Sequence, residues 1–263
     1  MRPTRAPGRK GSAEFRRSVI LPLALVAAGV CTSAIAKAEA TGFRFRVHYL
    51  GMSAGELTFT ARDSLLPQGE RVRVVQVEMR TASLPSTLFL IDNTYRAIYS
   101  PERLQLIAIQ KRVRQRNLEG EWRIRYSGTE AVLRRLGQQA DSARWSPGSA
   151  CLEVICLMDF LLHLRHPDTT FTVPVDEEAA PMEAQVRIFR DHERSYALAL
   201  FRQRGPSSRR WRTDLLTNRF SKTGARLEIY FDPQRPNVPK TVRYSLGSSM
   251  ATAELIEPKG ARR

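Results

Sequence analysis

From Gly42 onward apolar and charged residues alternate with a period of two, and that period belongs to strands rather than helices. Phe43, Phe45, Val47 and Tyr49 fall on one face, while Arg44, Arg46 and His48 fall on the other. The pattern returns almost residue for residue in Trp122, Ile124 and Tyr126 against Glu121, Arg123 and Arg125. Each such segment predicts a half-buried strand with one apolar and one basic face. The same reading applies to residues 56–62, 71–80, 95–100, 104–112, 171–175, 183–190, 195–202, 226–231, 241–246 and 251–256, most of them bounded by turn residues. Gly51 and Gly55 bracket a tight connection between the first two strands, and a slip of phase at Val74-Val75 predicts a bulge. Many short strands with no internal repeat and no Pro- or Ser-rich linker predict one mainly β domain over 41–263. Its expected form is a curved antiparallel sheet or partly open β-barrel.

One stretch breaks the period. Residues 152–165 carry Val154, Ile155, Leu157, Met158, Phe160, Leu161, Leu162 and Leu164, and His166-Pro167 follows at once, where proline disfavours further helix. This predicts one helix, apolar around most of its circumference and therefore packed against or inside the sheet. Residues 130–149 are weakly patterned and read as a loop, with a short helix around 131–136.

The beginning of the chain has the order of a secretory signal peptide. Arg2, Arg5, Arg9, Lys10, Arg16 and Arg17 precede an uncharged run from Val19 to Val30, and Ala34, Ala36, Ala38 and Ala40 follow it. The run is roughly half of the ~20 residues that a spanning helix needs. Residues 1–40 are expected to be removed on export, leaving a periplasmic protein. Valine directly before Cys31 argues against lipidation, and Phe15 before Arg16-Arg17 argues against a twin-arginine signal.

Of the 263 residues, 42 are basic and 26 acidic, a net charge of +16, and all but six of the basic residues are arginines. Guanidinium groups suit phosphate and carboxylate partners. Export argues against a nucleic-acid role, so the expected partner is a lipid or another anionic envelope component, with peripheral membrane contact. Basic clusters stand at 111–116 and 202–212. In the second, Arg209, Arg210, Trp211 and Arg212 are candidate anion or head-group contacts, since an indole flanked by cations suits a lipid interface. The other reading, solvated edges that discourage strand aggregation, stays open.

Chemistry is sparse. Cys151 and Cys156 are a candidate disulfide, provided that Cys151 lies in the loop ahead of the helix; otherwise they are buried thiols. His163, His166 and Asp168 fall at the end of the helix with no second ligand cluster, so neither a metal site nor a cofactor is expected. The spacing Gly-x-Ser-x-Gly occurs once, at Gly51-Met52-Ser53-Ala54-Gly55, but in a tight connection between two strands and not in the strand-to-helix turn that a nucleophile requires; there is no phosphate-cradling glycine loop and no dinucleotide fingerprint. Glu177-Glu178, adjacent in a Pro-flanked loop, reads as solvent-facing. No catalytic residue is assigned, and the sequence gives enzymatic activity no support.

The segment Phe43-Arg44-Phe45-Arg46-Val47-His48-Tyr49-Leu50-Gly51-Met52-Ser53-Ala54-Gly55-Glu56-Leu57 resembles the opening of the domain-of-unknown-function family 3108, a group of exported bacterial proteins. The likeness extends through Asp92-Asn93-Thr94-Tyr95, Asp159, Leu164-Arg165, Asp232, Pro239, Gly247 and Ala253-Glu254-Leu255. It makes Gly51, Gly55, Asp92, Asp159, Arg165 and Gly247 the family-motif positions. After Asp159 this chain has Phe160-Leu161 where a small hydroxyl residue is expected. The resemblance implies a periplasmic β-rich fold without an established activity. The functional expectation is a non-enzymatic protein that binds a lipid-like or amphipathic envelope component in a β-barrel groove. Its alternatives are an envelope scaffold with a packed core and a hydrolase of envelope glycans or lipids.

Overall fold

The computed structural model describes residues 41–81, 90–137, 142–148, 150–164, 168–190, 195–206 and 214–256. Its first meander comprises β1 (Thr41–Tyr49), β2 (Met52–Leu65), β3 (Arg71–Thr81), β4 (Ile91–Ser100), β5 (Gln105–Gln115), β6 (Leu118–Ser127), β7 (Glu130–Arg135) and β8 (Ser142–Trp145). After helix α1 (Val154–His163) come β9 (Thr169–Asp176), β10 (Pro181–Arg190) and β11 (Ser195–Gln203). A short helix α2 (Leu215–Phe220) then precedes β12 (Arg226–Asp232), β13 (Arg235–Leu246) and β14 (Ser249–Leu255). All 14 strands form one antiparallel sheet in the order β8 to β1, then β14 to β9, so that β1 pairing with β14 joins the two meanders.

The period-two reading fixes which face turns inward. Phe45, Phe59, Val75, Val77, Tyr95, Ala97, Ile109 and Ile124 are buried, while their neighbours Arg44, Arg46, Arg96, Arg123 and Arg125 are exposed. Four details differ from expectation. Residues expected as a loop form β7 and β8, because Ala131 and Leu133 alternate with exposed Arg134 over a strand too short to stand out. β13 begins six residues early and contains Pro236 and Pro239, which lie where the β12–β13 register shifts and a missing N–H is tolerated. β3 pairs with β2 and β4 without a shift, so no bulge sits at Val74-Val75; the apolar run arises because Val72 and Val74 on the other face are buried too. Gly55 lies inside β2 and not in the turn. A Cβ there would stand 2.0 Å from the Arg80 carbonyl oxygen of β3, whereas the turn itself is Leu50-Gly51, with φ of 49° and 81°.

Helix α1 occupies the concave side and touches β3 and β4 in one meander and β13 in the other. Its Val154, Ile155, Cys156, Leu157, Leu161 and Leu162 are buried, which matches a helix apolar on most sides. The outer strands β8 and β9 do not pair, so the ring stays open. Two sets of contacts nevertheless link its open edges near α1. Residues 151–152 bridge β5 and β9: Leu106 N donates to Cys151 O (3.1 Å), Leu152 N donates to Pro174 O (3.0 Å) and Asp176 N donates to Leu152 O (2.8 Å). The Asp176 carboxylate on β9 accepts from Trp145 Nε1 on β8 (2.9 Å) and Tyr126 OH on β6 (3.0 Å). One carboxylate and a two-residue bridge thus tie β9 to the first meander beside the open edge.

Candidate functional site at the ends of the buried helix

Polar groups gather at both ends of α1. At its N-terminus Glu153 is the cap, and its Oε2 accepts from Ile155 N at 2.9 Å. Glu177, from the turn after β9, accepts from Val154 N at 2.9 Å, so two carboxyls satisfy amides that the first helical turn leaves unpaired. Glu178 and Ala179 hold this turn with φ of 52° and 67°. Lys111 of β5, 0% exposed, places Nζ 2.7 Å from Glu178 Oε1 and 3.3 Å from Asp214 Oδ2. Tyr95 OH donates to Asp214 Oδ1 at 3.1 Å and accepts from Asn93 Nδ2 at 2.7 Å.

Four buried carboxyls therefore surround one ammonium group. Burial works against the Lys111 charge, but Asp214 and Glu178 overcome it and hold the amine ionised. Burial pushes Glu153 up to about 7 against the pull of Lys111, and burial with the neighbouring Glu153 pushes Glu177 well above the usual carboxylate range. Glu153 Oε1 and Glu177 Oε2 are buried without a hydrogen-bond partner among the described residues. Burial also raises Asp176 to about 6, despite its bonds from Trp145 and Tyr126.

At the C-terminal end Asp159 takes a two-pronged contact from Arg73 of β3, with Nε to Oδ2 at 3.0 Å and Nη2 to Oδ1 at 2.8 Å. Tyr99 OH donates to the same carboxylate at 2.7 Å. Arg73 Nη1 also reaches Asp63 at 3.1 Å, and Arg71 Nη2 reaches the other oxygen of Asp63 at 2.6 Å. Burial opposes the Arg73 charge, and the Asp159 carboxylate more than restores it. His163 contacts the Asp159 carbonyl oxygen through Nδ1 (2.8 Å) and Arg73 Nη2 through Nε2 (3.2 Å). A neutral ring that donates from Nδ1 and accepts at Nε2 fits both contacts. Outside this pair lies a cleft of about 350 Å³ lined by Arg71, Arg73, His163, Tyr99, Phe160 and Leu164 among others. Another, of about 620 Å³, lies over β9, β10 and β11.

The sequence-derived candidates scatter. Cys151 does lie ahead of the helix, but both cysteines are free and buried, so the expected bridge is not formed here. Cys151 is held in the extended bridge to β5 and β9, Cys156 sits one turn into α1, and burial raises the Cys151 thiol to about 12. Glu177-Glu178 is not a solvent-facing pair; it is buried against Lys111 and the α1 cap. Among the family-motif positions Asp159 is central, Gly51 and Gly247 are turn residues with positive φ, and Asp92 faces Arg80 on the surface at 3.6 Å. Residues 1–40, Arg165, His166, Arg209, Arg210, Trp211 and Arg212 lie outside the described residues. Among the described residues no group of three or more His, Cys, Asp or Glu could hold a metal ion. Lys111 belongs to the basic cluster 111–116 but is fully buried; the signal that could have singled out Lys111, Arg73 and Asp159 is a charge at an inward position of an otherwise apolar face. Asp214 carried no such signal.

No family model matches the chain, and neither does any curated protein. Three chains of solved structures do match. One is the crystal structure of a β-barrel-like protein of the domain of unknown function DUF1849 from Brucella abortus, to which this chain is similar at 6% identity and a TM-score of 0.47, over 82% of this chain and 95% of that chain.

Proposed function

We propose that this is an exported, periplasmic, non-enzymatic protein of the kind its opening segment resembles, and that it binds one end of a lipid-like or amphipathic envelope component in the cleft at the C-terminal end of α1. The observation that carries this reading is the cleft's composition. Phe160, Leu164 and Pro101 supply apolar lining, and Arg71, Arg73 and His163 supply hydrogen-bonding groups beside Asp63, Glu102 and Tyr99, within about 350 Å³. That volume is at the small end for ligand sites, which suits a head group with a short length of chain. The concave side of the sheet is a poorer place for an acyl chain, because α1 and fully buried Phe45, Phe59, Tyr95, Tyr99 and Phe201 occupy it. The same filling favours a second reading, a partner-binding envelope protein with a packed core, which would present exposed Leu50, Met52 and Met250 at the hairpin tips.

A fluorescent fatty-acyl probe separates the two readings. The protein is expected to bind the probe, and Leu164→Asp and Arg71→Glu are each expected to weaken binding about tenfold, from loss of apolar burial and of the cationic contact. Absence of binding, or equal binding by both variants, would favour the partner-binding reading.

A further inference from the structure

The outer face of β4 to β7 carries charge that the fold does not use. Arg96, Arg112, Arg114, Arg123, Arg125 and Arg134 are all exposed there, and none is in an ion pair among the described residues. Arg123 and Arg134 stand directly opposite one another in the β6–β7 register, and Arg96 lies in the same row across Gln110 of β5. Arg125 is one pleat along β6 from Arg123. Like charges directly opposite on neighbouring strands are destabilising, so this placement costs stability that the sheet does not recover. Arg112 stands opposite Glu121, and Arg114 opposite Asp92 and Glu119, so these two are partly offset, whereas Arg96, Arg123, Arg125 and Arg134 face no acid across the neighbouring strands. Glu121 accepts from Gln110 Nε2 at 2.5 Å, Glu130 is taken by Arg144 at 3.2 Å, and Asp92 faces Arg80.

We propose that this face docks on the surface of an anionic phospholipid bilayer. Charge complementarity selects an anionic partner, and guanidinium forks suit phosphate groups. The layout selects a surface rather than a strand-like polymer. The arginines spread over four adjacent strands, about 14 Å across at the usual ~4.8 Å strand spacing, and they cover a similar length along the strands. Neither cleft described above is formed by these outward residues, which lie on one face of four hydrogen-bonded neighbouring strands and so present a broad patch of charge. The inference does not rest on the α1 cleft: it concerns the opposite side of the sheet and requires no ligand within the protein.

The test is sedimentation of the signal-free chain with vesicles of phosphatidylglycerol and phosphatidylcholine, against phosphatidylcholine alone. Binding is expected only to the anionic vesicles, and 0.5 M salt should release the protein. Together, Arg123→Gln, Arg125→Gln and Arg134→Gln should weaken binding about 100-fold, roughly fivefold for each arginine. The same variant should keep or raise its Tm, because it removes the opposed pair. Leu164→Asp, which addresses the cleft, should leave vesicle binding unchanged. The proposal is overturned if the parent ignores anionic vesicles, if the triple variant binds within twofold of the parent, or if soluble polyphosphate binds with the same arginine dependence while the vesicles do not.

Discussion

Replacing Lys111 with methionine is expected to remove about 3–5 kcal/mol of folding stability, the usual consequence of stranding a buried charge without its partner. Lys111 is fully buried, its Nζ lies 2.7 Å from Glu178 and 3.3 Å from Asp214, and Glu153 and Glu177 stand close enough for its charge to hold their protonation down. Without the ammonium group these carboxyls must take up protons or open the turn at 177–179, and that turn supplies the amide contact to Val154. For a domain of this size the loss is roughly 10 °C in Tm. Adding Glu178→Gln and Asp214→Asn to Lys111→Met should recover part of it, since the acids are then neutral without the amine. Urea unfolding at pH 7 measures both. A loss below about 1 kcal/mol for the single variant would mean that water already reaches the cluster.

The second large effect lies at the other end of the helix. Asp159→Ala leaves Arg73 with Asp63 as its one remaining carboxylate, beside the His163 ring, and deprives Tyr99 OH of its acceptor, at an expected cost of about 3 kcal/mol. Arg73→Met combined with Asp159→Leu should cost less than Asp159→Ala alone, because an apolar pair of similar bulk needs no charge partner. Additive losses in that double variant, measured by the same unfolding method, would contradict the pairing. Because Arg73 also lines the cleft, Asp159→Ala should weaken acyl-probe binding as well.

The strands were legible because one face of the sheet is dry and the other wet, so the period-two pattern is strong wherever a strand exceeds about six residues. β7 and β8 were too short to show it, and the prolines of β13 disguised its start. Helix α1 announced itself by length and by apolarity on all sides, and its burial follows from that. The polar clusters were harder to read because they depend on residues far apart in the chain. Lys111 and Asp214 are brought together by the fold although 103 positions apart, and Arg73 and Asp159 meet 86 positions apart. Glu177-Glu178 was misread for a physical reason. A Pro-flanked acidic turn is normally solvated, and only a helix N-terminus with a buried lysine beneath it makes such a turn worth burying.

The arrangement at the start of α1 leaves a signature in the pH dependence of stability. Glu153 and Asp176 are raised to about 7 and about 6, and Glu177 is raised further than the usual range, so between about pH 4 and pH 7 the folded chain holds protons that the unfolded chain has released. Unfolding then releases protons, and stability must fall as pH rises through that window. Asp63, which Arg71 and Arg73 hold below its usual value against burial, acts only in more acidic solution. Urea unfolding of the parent protein at pH 5 and pH 8 is therefore decisive. A stability about 2–4 kcal/mol greater at pH 5 is the predicted result, and a profile that is flat or rises toward pH 8 would show that the acids around Lys111 are not held dry.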